Sequence, residues 1–280
     1  MSVQLGATPN LTARHVVVTS ALLPRAGEGA EKTLQDSGRD IPELSIPKAS
    51  LPKHIGIIMD GNTRWAEQRG LPTLNGHERG VDALRETVRA CGAWGVPAIT
   101  VFAFSTENWR RGSSEVSGLL SLLESTLRKE VPELRRNGVQ LRFLGDLSRL
   151  PLPLQSAARW AEAETAGGGG LRLGVALSYG ARQDVVRAAQ ELAAEVASGR
   201  AAAADITEEA IASRLGSSGM GDVDLLVRTS GERRLSNFLL WEAAYAELWF
   251  CDALWPDFTS GELKAAVEDF AGRSRRFGAH

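Results

Sequence analysis

Short apolar runs alternate with longer stretches of helical periodicity along most of the chain. Six of the runs are continuously apolar rather than alternating, a pattern typical of strands that are buried on both faces of a sheet. These predicted strands span residues 54–60, 98–104, 140–146, 171–178, 224–230 and 247–250.

The segments between the strands predict helices. Residues 81–91 carry apolar side chains at spacings of three and four, and Gly95 ends this pattern. Further helices are predicted over residues 116–134, 154–166, 182–197, 207–215 and 260–270. Strands that alternate with helices favour an α/β fold, a central and mostly parallel six-stranded sheet flanked by helices.

The N-terminal 45 residues differ from the rest of the chain. As far as Gly27 they hold no acidic residue, although Arg14 and Arg25 lie among several serines and threonines. This bias is typical of an organellar transit peptide, and a disordered tail would also show it. We predict a flexible extension over residues 1–45, a folded domain over residues 46–280, and a location in the cytoplasm or a plastid stroma.

Composition and charge narrow the class of function. The 280 residues include 32 Lys and Arg against 34 Asp and Glu, without the basic excess of a nucleic-acid-binding protein. Cys91 and Cys251 belong to no Cys/His cluster, so the sequence predicts neither a disulfide scaffold nor a structural zinc site. No apolar run approaches ~20 residues, so no membrane-spanning segment is predicted.

Three polar clusters follow predicted strands, at residues 60–65, 105–111 and 228–237. Ligands of an open parallel sheet bind beyond the carboxyl ends of its strands. The clusters combine arginine with small hydroxyl side chains, glycine and amides. Such a composition suits an anion with several oxygen atoms.

The first cluster predicts a phosphate site with a metal ion. Gly61 lets the backbone approach a ligand closely, and Arg64 supplies a fork of donors to phosphate oxygens. A helix that begins here would add its free N–H groups. Because Asp60 would repel a phosphate, its carboxylate indicates a bridging Mg²⁺, although it could instead cap the helix.

The third cluster predicts a second diphosphate site. Arg228, Arg233 and Arg234 accompany Ser230 and Ser236 just beyond a strand. The alternative is a solvated basic loop in which Ser236 caps a helix. Two anion sites and one metal carboxylate indicate an enzyme with two phosphorylated substrates. The absence of GxxxxGK[ST] and GxGxxG argues against a P-loop kinase and a dinucleotide site.

Two isolated titratable residues have less specific interpretations. His77 follows Asn75-Gly76, and a histidine there is more often structural than a phosphate ligand or proton carrier. Glu247 begins a strand rich in aromatic residues, so its carboxylate needs a metal or an arginine as a partner.

Several motifs occur in a characteristic order: HIGIIMDGNTRWAEQRG, GHERG, FAFSTENWRR, DLLVRTSGERRLSNFLLWEAAYAELWF, WPDF and RRFG. Over residues 54–278 the chain therefore resembles the cis-prenyltransferases, or undecaprenyl diphosphate synthase-like enzymes. The resemblance implies a homodimer in which each catalytic domain contains a deep apolar tunnel. It also implies repeated condensation of isopentenyl diphosphate onto an allylic diphosphate (dimethylallyl, geranyl or farnesyl), with each new double bond cis, and peripheral membrane contact through the lipid product.

The resemblance assigns roles to individual residues. The implied catalytic residues are Asp60, His77, Ser105 and Asn108. The implied substrate-binding residues are Gly61, Asn62, Arg64, Trp65, Arg69, His77, Phe104, Trp109, Arg111, Arg228, Arg234 and Ser236. The implied cofactor is Mg²⁺, which Asp60 would bind while Glu247, in the same chain or across the dimer, helps to place it.

Some positions depart from the family pattern. Thr73 stands where a basic residue is common, and Thr63 where glycine or arginine is common. Ala103 is small at a position where larger side chains shorten the product, so it favours a longer product. Leu177 is larger than the alanine often found at its position and weakly favours a shorter product. These positions leave starter preference and product length open.

One rival interpretation is a non-catalytic partner subunit with the same fold. Such partners typically lack the aspartate and arginines, whereas Asp60, Arg64, Arg228 and Arg234 are all present here. The trans-prenyltransferases depend on DDxxD motifs, and this chain has no Asp-Asp pair. An active cis-prenyltransferase is therefore the favoured interpretation.

Overall fold

Six parallel strands form the centre of the computed structural model, which describes residues 40–276. The strands are β1 (His54–Ile58), β2 (Ala98–Ser105), β3 (Gln140–Leu144), β4 (Arg172–Tyr179), β5 (Leu225–Arg228) and β6 (Glu247–Phe250). Their order across the sheet is β3-β4-β2-β1-β5-β6, with every neighbouring pair parallel. The predicted sheet is confirmed. The predicted extension, apart from residues 40–45, lies outside the described residues.

Helices and loops cover both faces of the sheet. The helices are α1 (Asn62–Glu67), α2 (Thr73–Trp94), α3 (Ser113–Arg136), α4 (Leu152–Thr165), α5 (Ala181–Ala197), α6 (Glu208–Ala212) and α7 (Ser260–Gly272). One core cluster joins the sheet to α2, α3, α4 and α7, and a second joins it to α5 and residues 235–246. Among residues 40–276, no helix is long and apolar enough to cross a membrane.

Helix α2 begins at Thr73, well before the apolar periodicity that predicted it. The glycines Gly76 and Gly80, which precede that periodicity, lie inside the helix. A Cβ atom at Gly76 would lie 2.1 Å from the carbonyl oxygen of Asn62, and one at Gly80 would lie 2.4 Å from its Oδ1. The two glycines therefore let α2 pack directly against the start of α1.

Strand β2 is irregular near its carboxyl end. Phe102 pairs with Ala176, and Phe104 pairs with Leu177, so Ala103 is an extra residue with no partner on β4. Such a bulge turns a side chain away from the regular alternation of a strand. It allows the consecutive residues Phe102 and Ala103 both to line the same cavity.

Candidate active site

A cavity of about 850 Å³ begins at the carboxyl ends of β1, β2 and β5 and extends between the sheet and helices α2 and α3. Its volume lies within the usual range for sites that enclose a small molecule. The polar end includes Asp60, Gly61, Asn62, Arg64, His77, Ser105, Asn108, Arg111, Arg228, Arg234 and Ser236. The apolar wall includes Leu84, Val88, Val101, Ala103, Leu119, Leu123, Leu127, Val175 and Leu177.

Arg228 is the buried centre of the polar end, with only 4% of its surface exposed. Its Nη2 donates to Oδ2 of Asp60 at 2.8 Å, and its Nη1 donates to the carbonyl oxygen of Arg234 at 2.6 Å and to Oγ of Ser236 at 2.7 Å. The guanidinium thus fixes the Asp60 carboxylate and the loop after β5 in one arrangement.

The backbone of Asp60 is held by residues that sequence analysis did not single out. Thr229 Oγ1 accepts from the Asp60 N–H at 2.9 Å and donates to the Asp60 carbonyl at 2.6 Å. The N–H of Trp255 also donates to this carbonyl at 3.0 Å. Gly61 then takes a φ of 108°, where a side chain would press on Leu254. Thr229 and Trp255 both lie inside the motifs quoted above, and this position is the feature of the sequence that could have identified them.

Arg64 lies beside Asp60 and crosses to the loop after β5. It donates to the carbonyl oxygen and to Oγ of Ser230, at 3.1 and 2.5 Å. The Glu232 carboxylate lies 3.7 Å from Arg64 and is also paired with Arg234. The two arginines, which the sequence assigned to different diphosphates, therefore meet at one carboxylate.

The residues predicted to surround the reacting atoms also meet at the polar end. Ser105 and Asn108 cap one another, since the Ser105 N–H donates to Asn108 Oδ1 at 2.9 Å and the Asn108 N–H donates to Ser105 Oγ at 3.3 Å. His77 lines the cavity, and its buried Nε2 has no hydrogen-bond partner among residues 40–276. Burial, assisted by the charge of Arg111, lowers the pKa of His77 to about 4. A neutral imidazole is therefore available to a substrate at neutral pH.

The family model described as "Putative undecaprenyl diphosphate synthase" matches residues 58–278. The chain belongs to the undecaprenyl diphosphate synthase family. An isoprenyl transferase of Agrobacterium fabrum is 52% identical over 83% of the chain and 94% of that protein. A ditrans,polycis-undecaprenyl-diphosphate synthase of Shewanella oneidensis is 49% identical over 85% and 86%.

Solved structures agree with this membership. Lavandulyl diphosphate synthase from Lavandula x intermedia, solved with dimethylallyl diphosphate, has a TM-score of 0.80 and 35% identity, covering 82% of this chain and 99% of its own. A probable undecaprenyl diphosphate synthase from Campylobacter jejuni has a TM-score of 0.68 and 33% identity, covering 81% and 98%. The protein is thus a prenyltransferase with the cis-prenyltransferase fold.

Four residues predicted to bind substrate do not line the cavity of this prenyltransferase. The Trp65 Nε1 donates to Oδ1 of Asp257 at 2.7 Å, and Arg69 donates to Oδ2 of the same carboxylate at 3.2 Å. Phe104 and Trp109 pack edge to face with their ring centroids 5.1 Å apart. These contacts support α1 and the end of β2 from outside the cavity.

Glu247 is not brought together with Asp60 of the same chain. The strand register aligns Glu247 with Leu225 and Ile55, five residues before Asp60, or about 16 Å along the strands. At that opposite edge of the sheet, Arg273 donates to Glu247 at 2.8 Å. The carboxylate therefore has the arginine partner that the sequence offered as an alternative to a metal.

The polar end fits a Mg²⁺ ion that is completed by substrate. Within residues 40–276, no group of three or more His, Cys, Asp or Glu could hold a metal. Mg²⁺ is usually bound by one or two carboxylates together with substrate phosphate oxygens. The Asp60 side chain is 30% exposed and faces the cavity, so Oδ1, which lies 3.8 Å from Arg64, can reach such an ion.

The lowered pKa of His77 predicts a pH-dependent stability. Between pH 6.5 and about 4 the unfolded chain binds a proton at His77 that the folded chain does not, so the free energy of unfolding falls as the pH falls through this range. Urea unfolding of the wild type and His77→Gln at pH 7 and pH 5 would measure this term. We expect the wild type to lose more stability than the variant, and equal losses would contradict the prediction.

Proposed function

We propose that the protein is a Mg²⁺-dependent cis-prenyltransferase that condenses isopentenyl diphosphate repeatedly onto an allylic diphosphate and releases a Z-polyprenyl diphosphate. The observation that carries this proposal is one cavity with two chemical characters. Its polar end contains Asp60, Arg64 and Arg228, and aliphatic side chains form much of the remaining wall. A prenyl diphosphate likewise consists of a charged diphosphate and an apolar hydrocarbon chain.

The names of the relatives support an allylic substrate. The Shewanella oneidensis relative is named as specific for (2E,6E)-farnesyl diphosphate, and the lavandulyl diphosphate synthase was solved with dimethylallyl diphosphate. The two allylic groups differ in length. We therefore propose dimethylallyl, geranyl and farnesyl diphosphates as the starters to be compared.

The chemistry requires stabilisation of a departing anion. The carbon–oxygen bond of the allylic diphosphate breaks, a carbon–carbon bond forms to isopentenyl diphosphate, and the latter loses a proton as the new double bond forms. When bound, Mg²⁺ neutralises charge on diphosphate oxygens. Arg64 binds the allylic diphosphate, Arg228, Arg234 and Ser236 bind isopentenyl diphosphate, and His77, Ser105 and Asn108 surround the reacting carbons.

Ala103 is expected to limit product length when it is enlarged. Its side chain reaches the cavity at the bulge in β2, so Ala103→Leu fills space that a growing hydrocarbon needs. We expect the mean product of the variant to be shorter by at least one isoprene unit. Chromatography of the extracted products measures this change, and an unchanged distribution would show that this position does not contact the hydrocarbon.

We also propose that the protein acts as a homodimer. The strand β6 lies at the edge of the sheet, where Leu248 and the nearby Tyr245 are exposed. An edge strand with exposed apolar side chains favours association with another copy. A second copy would also allow its own Glu247 to lie near Asp60. Contact with a membrane would follow from the lipid product, and the location of the protein stays a prediction because it depends on residues 1–39.

The direct test is incubation of the purified chain with labelled isopentenyl diphosphate, Mg²⁺ and each of the three starters. We expect a ladder of extractable products with cis double bonds, and chelation of the metal should prevent it. A folded protein that incorporates no label with any starter would instead favour the partner-subunit interpretation.

A further inference from the structure

Charged side chains line the apolar cavity far from its diphosphate end. Arg85 on α2 and Glu130 on α3 both face the cavity. Arg85 follows His77 by eight residues, which is about 12 Å along the helix. This pair is therefore separate from the groups that meet the diphosphates.

The two side chains form a tight bridge between the helices. Arg85 Nε donates to Glu130 Oε2 at 3.0 Å, and Nη2 donates to Oε1 at 2.8 Å. The third arm, Nη1, donates to Oδ1 of Asp82 at 2.8 Å. These bonds raise the pKa of Arg85, and Glu130 is only 16% exposed. A bidentate pair of this kind is fixed in orientation as well as charged.

The wall of the cavity changes character at this bridge. Before it, α2 and α3 contribute Leu84 and Leu123. One turn beyond it, Arg89 and Glu133 join Val88 and Leu134 in the wall that the two helices contribute. The opposite wall stays apolar, with Leu141, Phe143, Leu173 and Val175. From the bridge onward the helical side of the cavity thus carries charged as well as apolar side chains, while the sheet side stays apolar.

We propose that the Arg85–Glu130 ion pair is a length stop for the growing hydrocarbon, an inference that rests on the proposed function. A prenyl chain that covers the pair removes water from two charged groups and offers them no hydrogen bond in return. Each further isoprene unit loses favourable burial once it meets this surface. The bidentate geometry also keeps α2 and α3 from separating beside the chain.

The test is a pair of double variants that remove both charges. Arg85→Met with Glu130→Leu keeps much of the volume, and Arg85→Gln with Glu130→Gln provides a more conservative replacement if the first does not fold. We expect the first to lengthen the mean product by at least two isoprene units and the second by at least one. Arg85→Lys retains a charged pair and is expected to give the wild-type ladder.

A matched control removes an equivalent pair that does not face the cavity. Arg128 donates to Glu124 on α3 at 3.0 Å and is exposed. The double variant Arg128→Met with Glu124→Leu is therefore expected to leave product length unchanged. If either double variant of Arg85 and Glu130 is folded and active but gives the wild-type ladder, the proposal that this ion pair limits product length is wrong. Failure of the wild type to elongate any starter would instead overturn the proposed function on which it rests.

Discussion

The Asp60→Asn variant is expected to lose turnover by about 10²–10³-fold or more, while its fold is retained. The variant keeps an oxygen acceptor for the buried guanidinium of Arg228, 2.8 Å away, but it loses the negative charge that would bind Mg²⁺. Losing charge stabilisation at a departing group typically lowers turnover on this scale. Label incorporation from isopentenyl diphosphate measures the loss directly.

Asparagine is a better replacement than alanine at this position. Asp60→Ala would leave Arg228, which is 4% exposed, without one of its acceptors, at a cost of about 1–3 kcal/mol. Asp146→Asn is a matched control, since this aspartate also follows a strand, β3, and its carboxylate accepts hydrogen bonds from Ser148 of its own turn. Near-normal turnover of a folded Asp60→Asn protein would contradict the assigned role of the carboxylate.

The strands could be predicted because burial on both faces of the sheet requires a continuous run of apolar residues. A run such as residues 98–104 has few polar positions, and its ends agree with β2 within one residue. The order of the strands could not be predicted in the same way. The buried runs resemble one another, and their pairing depends on how the intervening helices pack.

The start of α2 was missed because its sequence contradicts helix propensity. Gly76 and Gly80 are unfavourable in a helix, and the apolar periodicity that predicted the helix begins only at residue 81. The two glycines are required by contact with another element, the start of α1 at Asn62. A single-sequence pattern contains no record of such a contact.

Sequence analysis placed the three polar clusters at one end of the sheet, but it did not predict the bonds between them. The clusters after β1, β2 and β5 do converge, because these strands end at the same edge of the sheet. Arg228 was predicted to bind a diphosphate, which stays a prediction, and the structure shows its guanidinium bonded to Asp60, which lies 168 residues away. Such long-range pairing, like the separation of Glu247 from Asp60, depends on strand register.

Gly76→Ala is expected to disrupt the candidate active site, although Gly76 itself does not line the cavity. The added Cβ would lie 2.1 Å from the carbonyl oxygen of Asn62, a backbone atom that cannot rotate away. Overpacking of this kind typically costs about 1–3 kcal/mol, which exceeds the gain of about 0.5–1 kcal/mol in helix propensity. The helices must therefore move apart, and Asn62 must move with α1.

The same movement predicts a large loss of activity. Asn62 follows Asp60 by two residues and lines the cavity, so its displacement shifts the groups that we propose bind the allylic diphosphate. A misplacement of about 1 Å can lower a rate about 10²-fold, and we expect a loss of this order with a lowered Tm. Thermal unfolding and label incorporation measure the two effects separately.

A second glycine of the same helix provides the control. A Cβ atom at Gly92 would meet no atom within 4 Å, and the position is exposed. Gly92→Ala is therefore expected to raise stability by about 0.5–1 kcal/mol and to leave activity unchanged. If the two substitutions change the stability with opposite signs, then the α1–α2 contact, rather than helix propensity, is the reason that glycine is required at position 76. A stabilised and fully active Gly76→Ala protein would instead show that α1 can move without disturbing Asp60.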